Sequence, residues 1–217
     1  MNKYVPLFAL CATLLGSTSV LASSSTDVSV TGTITPAACT PSLSGAGGFD
    51  FGKVSVQDLD PDKGTTFTSS LQRFTVACSA PTRFALSAVD NREGSSSTAA
   101  NQRFGLGMNG TEKIGSYLMG LLADGLVADG DAGMQHMITT NGGDTWIKRQ
   151  ASVNYLYNRN VAPVWHGFAL QNANEPSPIN TLSGDIQVEM TIVKASDLTL
   201  TDDINIDGAA SLEVHYL

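Results

Sequence analysis

Apolar and polar residues alternate with a period of two in short segments along this chain, and Gly, Pro, Ser, Asn and Asp collect between the segments. Successive side chains of a strand point to opposite faces, so this period predicts half-buried β-strands rather than helices. The clearest segments are 28–34, 49–56, 67–78, 84–89, 186–193 and 210–216. Turn-rich stretches separate them, among them 91–101 (NREGSSSTAAN), 141–144 (NGGD) and 172–177 (NANEPS). A weak helix is expected only at 114–127, where Gly115, Gly120 and Gly125 would each lower its stability. Regularly spaced strands, with no internal repeat and no convincing linker, predict one all-β domain built as a β-sandwich.

The N-terminus breaks this pattern. Lys3 precedes an apolar run from Tyr4 to Leu15, and small or polar residues lead to Val20-Leu21-Ala22. The arrangement predicts a Sec-type signal peptide over 1–22, cleaved after Ala22. The run is too short to span a bilayer, and no later stretch reaches about 18 consecutive apolar residues, so no membrane insertion is expected. Cys11 raises a lipoprotein alternative, but Leu10 is larger than the residue such sites prefer. Removing 22 of the 217 residues leaves 195, enough for one large or two small domains.

Cleavage also reduces three cysteines to two, Cys39 and Cys78, in a chain bound for an oxidising compartment, which predicts a disulfide. Closing a loop of that length stabilises a fold by roughly 4 kcal/mol in the chain-entropy picture. A metal site lacks ligands: there is no C-x-x-C, and His136, His166 and His215 have no H-x₃₋₅-H spacing. The net charge of −8 becomes −9 once Lys3 leaves, and no Lys/Arg cluster occurs, so nucleic acid and anionic membrane are poor partners.

No catalytic residues are expected. The sequence has no G-x-S-x-G, H-E-x-x-H or Gly-rich phosphate loop, and its three histidines are isolated. Asp58, Asp60 and Asp62 resemble a calcium loop only superficially, since the glycine is displaced, Ser69 replaces the required Glu and Pro61 interrupts the run. Asp124, Asp129 and Asp131 read in the same way, as solvated acidic turns. No cofactor is expected.

Two terminal segments bear on function. In Asp27–Cys39 (DVSVTGTITPAAC), Val28, Val30, Gly32 and Ile34 fall on one face and Ser29, Thr31, Thr33 and Thr35 on the other. Small side chains and a glycine suit insertion beside another backbone, although the same alternation would serve the first strand of the chain's own sheet. At the other end, Ala210, Leu212, Val214 and Tyr216 alternate with Ser211, Glu213 and His215 almost to the last residue. A strongly patterned strand at a terminus implies that something pairs with it.

Together these residues carry a resemblance. The V-x-V-x-G-x-I alternation shortly before A-A-C, the F-x-F-G of Phe49-Asp50-Phe51-Gly52, the second cysteine after F-x-V-x-C (Phe74, Val76, Cys78) and the terminal strand with a penultimate tyrosine resemble subunits of chaperone–usher fimbriae. TGTITPAACTPSLSG, AVDNREG, FGLG and DGAASLEVHYL are similar to an uncharacterised family of fimbrial-like periplasmic proteins within that superfamily. The resemblance implies an immunoglobulin-like, pilin-type sandwich over 36–217 that lacks its last strand, with 23–35 as a donor extension. A periplasmic chaperone would fill the open groove until another subunit's extension replaces it at an outer-membrane usher, by β-strand addition. Val28, Val30, Gly32 and Ile34 would then be donor residues, and Leu212, Val214 and Tyr216 would lie on the groove-edge strand. The chain would pass through the periplasm to a cell-surface fimbria and contribute to cell adhesion. The extra length relative to a pilin domain falls in 91–149.

Two other readings accompany this one. A tip adhesin would use Trp146, Trp165, Tyr155 and Tyr157 to stack on carbohydrate, but has no use for a donor extension. A self-contained periplasmic domain would keep its own seventh strand and need no chaperone.

Overall fold

A computed structural model describes residue 26, residues 28–32 and residues 38–217. The predicted signal peptide and Ile34 lie outside the described residues. The chain divides into Met1–Thr35 and Pro36–Leu217, and every strand below belongs to the second unit.

The principal strands are β1 (Cys39–Leu43), β2 (Thr65–Thr68), β3 (Gln72–Thr82), β4 (Phe84–Asp90), β5 (Gly115–Leu122), β6 (Gln135–Thr139), β7 (Val153–Tyr155), β8 (Trp165–Ala169), β9 (Ile179–Ile192) and β10 (Ala210–Tyr216). One sheet runs β1-β3-β9-β5-β7, with β2 and the short Val127–Ala128 strand also pairing with β9. The second begins at the short strand Ile147–Lys148 and continues β6-β8-β4-β10. These pairs are antiparallel, so each sheet can present one apolar face to the other, and the domain is a β-sandwich. Phe74, Val76, Leu182, Ile186 and Met190 from the first sheet and Phe84, Leu86, Ala88 and Phe168 from the second fill one shared core. Cys39 and Cys78 face each other across β1 and β3 and form the expected disulfide. Among the described residues no helix is long and apolar enough to cross a membrane.

The strongest alternations behave as the pattern predicts: β4 and β10 cover 84–89 and 210–216, and 186–193 forms most of the second half of β9. Other segments depart from it. The segment 67–78 is split between β2 and β3 by a break at Ser69–Leu71. The weak helix at 114–127 is instead β5, and the glycines that argue against a helix are what allow the strand. A Cβ on Gly115 would lie 2.1 Å from the Thr191 carbonyl oxygen, and one on Gly120 would lie 2.4 Å from Val153 Cγ1, so both neighbouring strands approach too closely for any side chain. Residues 28–32 and 49–55 belong to no strand. The additional length at 91–149 supplies β5 to the first sheet and β6 to the second, together with two-residue strands in each.

Candidate functional site

Strand β10 ends its sheet. One edge pairs with β4 along its whole length, Ala210 opposite Asp90 through Tyr216 opposite Phe84, and no described strand pairs with the other edge. Ala210, Leu212 and Val214 are half-buried against the core, so they form an apolar row beside a line of unpaired backbone groups. On the opposite face, Glu213 forms an ion pair with Arg159, and His215 contacts Ser87 Oγ at 2.8 Å and stacks on Trp165. Burial, reinforced by the Arg159 charge, lowers the His215 pKa and favours the neutral ring. The end of β10 is tied to the disulfide, because the Cys39 backbone N–H donates to Tyr216 Oη at 2.9 Å.

The segment before β10 helps to line a cleft of about 440 Å³. Phe49, Phe51 and Val54 line one side and Leu198, Ile204 and Ile206 the other, with Lys53, Asp202 and Asp203 among the polar lining. Residues 49–54 alternate like a strand, with Phe49, Phe51 and Val54 half-buried and Asp50, Gly52 and Lys53 turned to polar or open positions, yet they carry no ladder. Asp50 Oδ1 instead accepts from the Gly52 N–H at 2.7 Å, in a local turn made possible by the positive φ of Gly52. Among the described residues, 49–54 thus pairs with no strand, and β10 pairs on one edge only. Leu198, Leu200, Ile204 and Ile206 were not anticipated as cleft residues, although their spacing of two carries the same signal used for the other strands.

The structure places Val28 and Val30 at 85% and 94% exposure, and nothing approaches the Cβ position of Gly32 within 4 Å. The described part of the N-terminal segment is therefore no strand of a sheet in this chain. Leu212 and Val214 are half-buried against the core, whereas Tyr216 is exposed. The four aromatic side chains of the adhesin reading do not converge. Trp146 covers Gly167, Trp165 stacks on His215, Tyr157 tilts against His166, and Tyr155 donates to Glu189 from the other sheet. The acidic loop is a self-capped turn, in which Asp60 Oδ1 accepts from the N–H groups of Asp62 and Lys63 and its carboxylate pairs with Lys63. Those backbone bonds lower the Asp60 pKa. Asp129 accepts from the N–H groups of Asn180 and Thr181, which fixes the start of β9.

Residues 28–114 match a family described as a protein of unknown function (DUF1120). Protein GltF of Escherichia coli (strain K12) is 27% identical over an alignment covering 100% of this chain and 99% of that protein. Uncharacterized protein YhcF of the same organism is 28% identical, over 89% of this chain and 90% of its own length. These likenesses fit an uncharacterised protein family, and the two relatives match most or all of the length of this disulfide-bonded β-sandwich chain.

Proposed function

We propose that this chain is a structural subunit of a chaperone–usher fimbria, assembled by donation of its N-terminal segment to another subunit. The observation that carries the reading is the free edge of β10, with its half-buried apolar row, in a domain that also has an apolar cleft lined by 49–54 and 198–206. A soluble protein leaves such an edge open only at a risk of unwanted pairing, which a donated strand removes. Segment 28–34 has the matching form: alternating small apolar residues, two of them fully available, with a glycine where backbones would approach. Burying Val28, Val30 and Ile34 would contribute about 1.5–3 kcal/mol each, added to the backbone bonds of strand addition. In transit the same groove is held by a periplasmic chaperone, and exchange occurs at an outer-membrane usher. The disulfide fits that oxidising route.

The test deletes residues 23–35, refolds the oxidised remainder and records its melting temperature with and without a synthetic peptide of residues 26–36. A large peptide-dependent rise is expected. A truncated domain that is already stable and indifferent to the peptide would instead make the chain a self-contained periplasmic domain.

A further inference from the structure

The second sheet has a narrow seam. β10 pairs with β4 over seven positions and β6 with β8 over five, but β8 meets β4 only at His166 opposite Leu86 and Gly167 opposite Ala85. The β4–β10 half is therefore held to the β6–β8 half by a two-position ladder and by groups that cross beside it. Segment 157–164 supplies several of these. Asn158 forms a parallel bridge with Ala88, the Arg159 N–H donates to the Ala88 carbonyl at 2.8 Å, and the Arg159 guanidinium pairs with Glu213 on β10. Trp165 stacks on His215 across the same seam.

A buried histidine pair sits at this junction. His166 on β8 and His136 on β6 are 0% and 4% exposed, and His166 Nδ1 lies 2.9 Å from His136 Nε2. Buried polar groups are normally hydrogen-bonded, so the proton positions follow bond by bond. His166 Nε2 accepts from the Tyr157 N–H at 3.2 Å, so the neutral ring carries its proton on Nδ1 and donates it to His136 Nε2. His136 then carries its own proton on Nδ1. Each ring has one basic nitrogen, and each of these already accepts a hydrogen bond. An added proton must break one of the two, either the hold of His166 on Tyr157 or the bond between the rings.

The surroundings give an added charge little support. The Arg149 guanidinium opposes it on both rings, and only the Asn154 amide favours it on His136. The rings of Tyr157 and Phe168 pack at a tilt against His166 and His136. Among the described residues neither ring forms an ion pair with a carboxylate. Across the seam the titratable groups are His215, which contacts Ser87, and Glu213, which is held by Arg159.

We propose that the His136–His166 pair is an acid-sensitive clasp on this seam: uptake of a proton breaks one of its two bonds, frees segment 157–164 and lets the β4–β10 half part from β6–β8 while the first sheet stays folded. Because β10 carries the free edge, acid also acts on the groove, a consequence that alone rests on the strand-donation reading.

The test measures hydrogen exchange of single amides by NMR, in the oxidised chain from Ser23 onward, at pH 7.5 and pH 5, with each rate corrected for its intrinsic value. At pH 7.5 the Tyr157 and Arg159 amides are expected to exchange through a local opening, less protected than the amides of the central strand β9, which report global unfolding. At pH 5 their protection should fall about tenfold or more, because the opened rings titrate near 6.5 and the clasped rings do not. In His136→Gln, which offers an acceptor but takes up no proton, the fall should be smaller. Tyr157 and Arg159 amides as protected as those of β9 at both pH values would mean that the seam parts only when the whole domain unfolds. A local opening with equal protection at both would mean that the histidines do not control it, and either result overturns the proposal. The readout needs no peptide, so it is independent of strand donation, and exchange in the unsubstituted chain decides the matter even where the variant fails to fold.

Discussion

At the scale of single residues, the buried histidine pair sets the acid response of the fold. Burial pulls the His136 pKa down to about 4, and burial together with the neighbouring charges of His136 and Arg149 lowers that of His166 well below the ordinary value. Both rings are therefore neutral in the folded chain and titrate near 6.5 when unfolded. A depressed histidine pKa means that the unfolded state binds more protons between that value and the ordinary one. The associated stability is thus fully present above pH 6.5 and is lost as pH falls toward 4. His136 alone should remove about 2 kcal/mol between pH 7.5 and pH 5. Urea unfolding at the two pH values checks this: the midpoint should fall at pH 5, and a His136→Gln variant that still folds should show a smaller fall. None of this was visible in the sequence, where the two histidines stand thirty positions apart without metal spacing. Only strand pairing in register brings them together.

At the scale of elements, the same alternation had different outcomes according to whether a partner was available. Segments 84–89 and 210–216 became strands because each offers the other a complete antiparallel edge. Segment 49–56 was read with the same pattern, but it pairs with no described strand, turns locally at Gly52 and keeps its phenylalanines half-buried. Residues 28–32 have the pattern and neither partner nor burial. A donor role makes a specific demand on them. Val30→Asp should leave the melting temperature of the isolated full-length chain within about 0.5 kcal/mol equivalent, because an exposed position away from packing contributes little. In the 26–36 peptide the same change should abolish the stabilising effect, because a carboxylate would enter an apolar groove without a partner. A Val30→Asp peptide that stabilises as well as the original would rule out insertion of that face. The segment read as a weak helix shows the opposite error. Its glycines lower helix propensity, but in β5 they admit the Thr191 backbone and the Val153 side chain, a requirement set by residues far away in sequence.

At the scale of the whole molecule, the disulfide is connected to the free-edged strand β10. Cys39–Cys78 closes a loop with a sequence separation of 39 and holds β1 on β3, and the Cys39 N–H reaches across to Tyr216 at the end of the free-edged strand. Reduction should lower the unfolding free energy by roughly 4 kcal/mol on the loop-entropy argument. Denaturant unfolding with and without a reducing agent measures it directly. The reduced chain should also respond less to the donor peptide, since one end of the groove is then no longer held. A reduced domain that keeps both its stability and its peptide response would show that the disulfide is dispensable for the groove.

Composition, the period-two pattern and the two cysteines beyond the expected signal peptide were enough to determine an all-β, disulfide-bonded sandwich, because side-chain alternation and thiol chemistry are local properties of the chain. The alternation at both termini also marked the residues on which strand donation would depend. Which alternating segments obtain partners was decided by tertiary structure, since a β ladder needs two edges brought together from distant positions. The apolar cleft, the need for Gly115 and Gly120, and the buried His136–His166 contact arise from the same cause: each is a relation between distant segments, and no single stretch of sequence contains it.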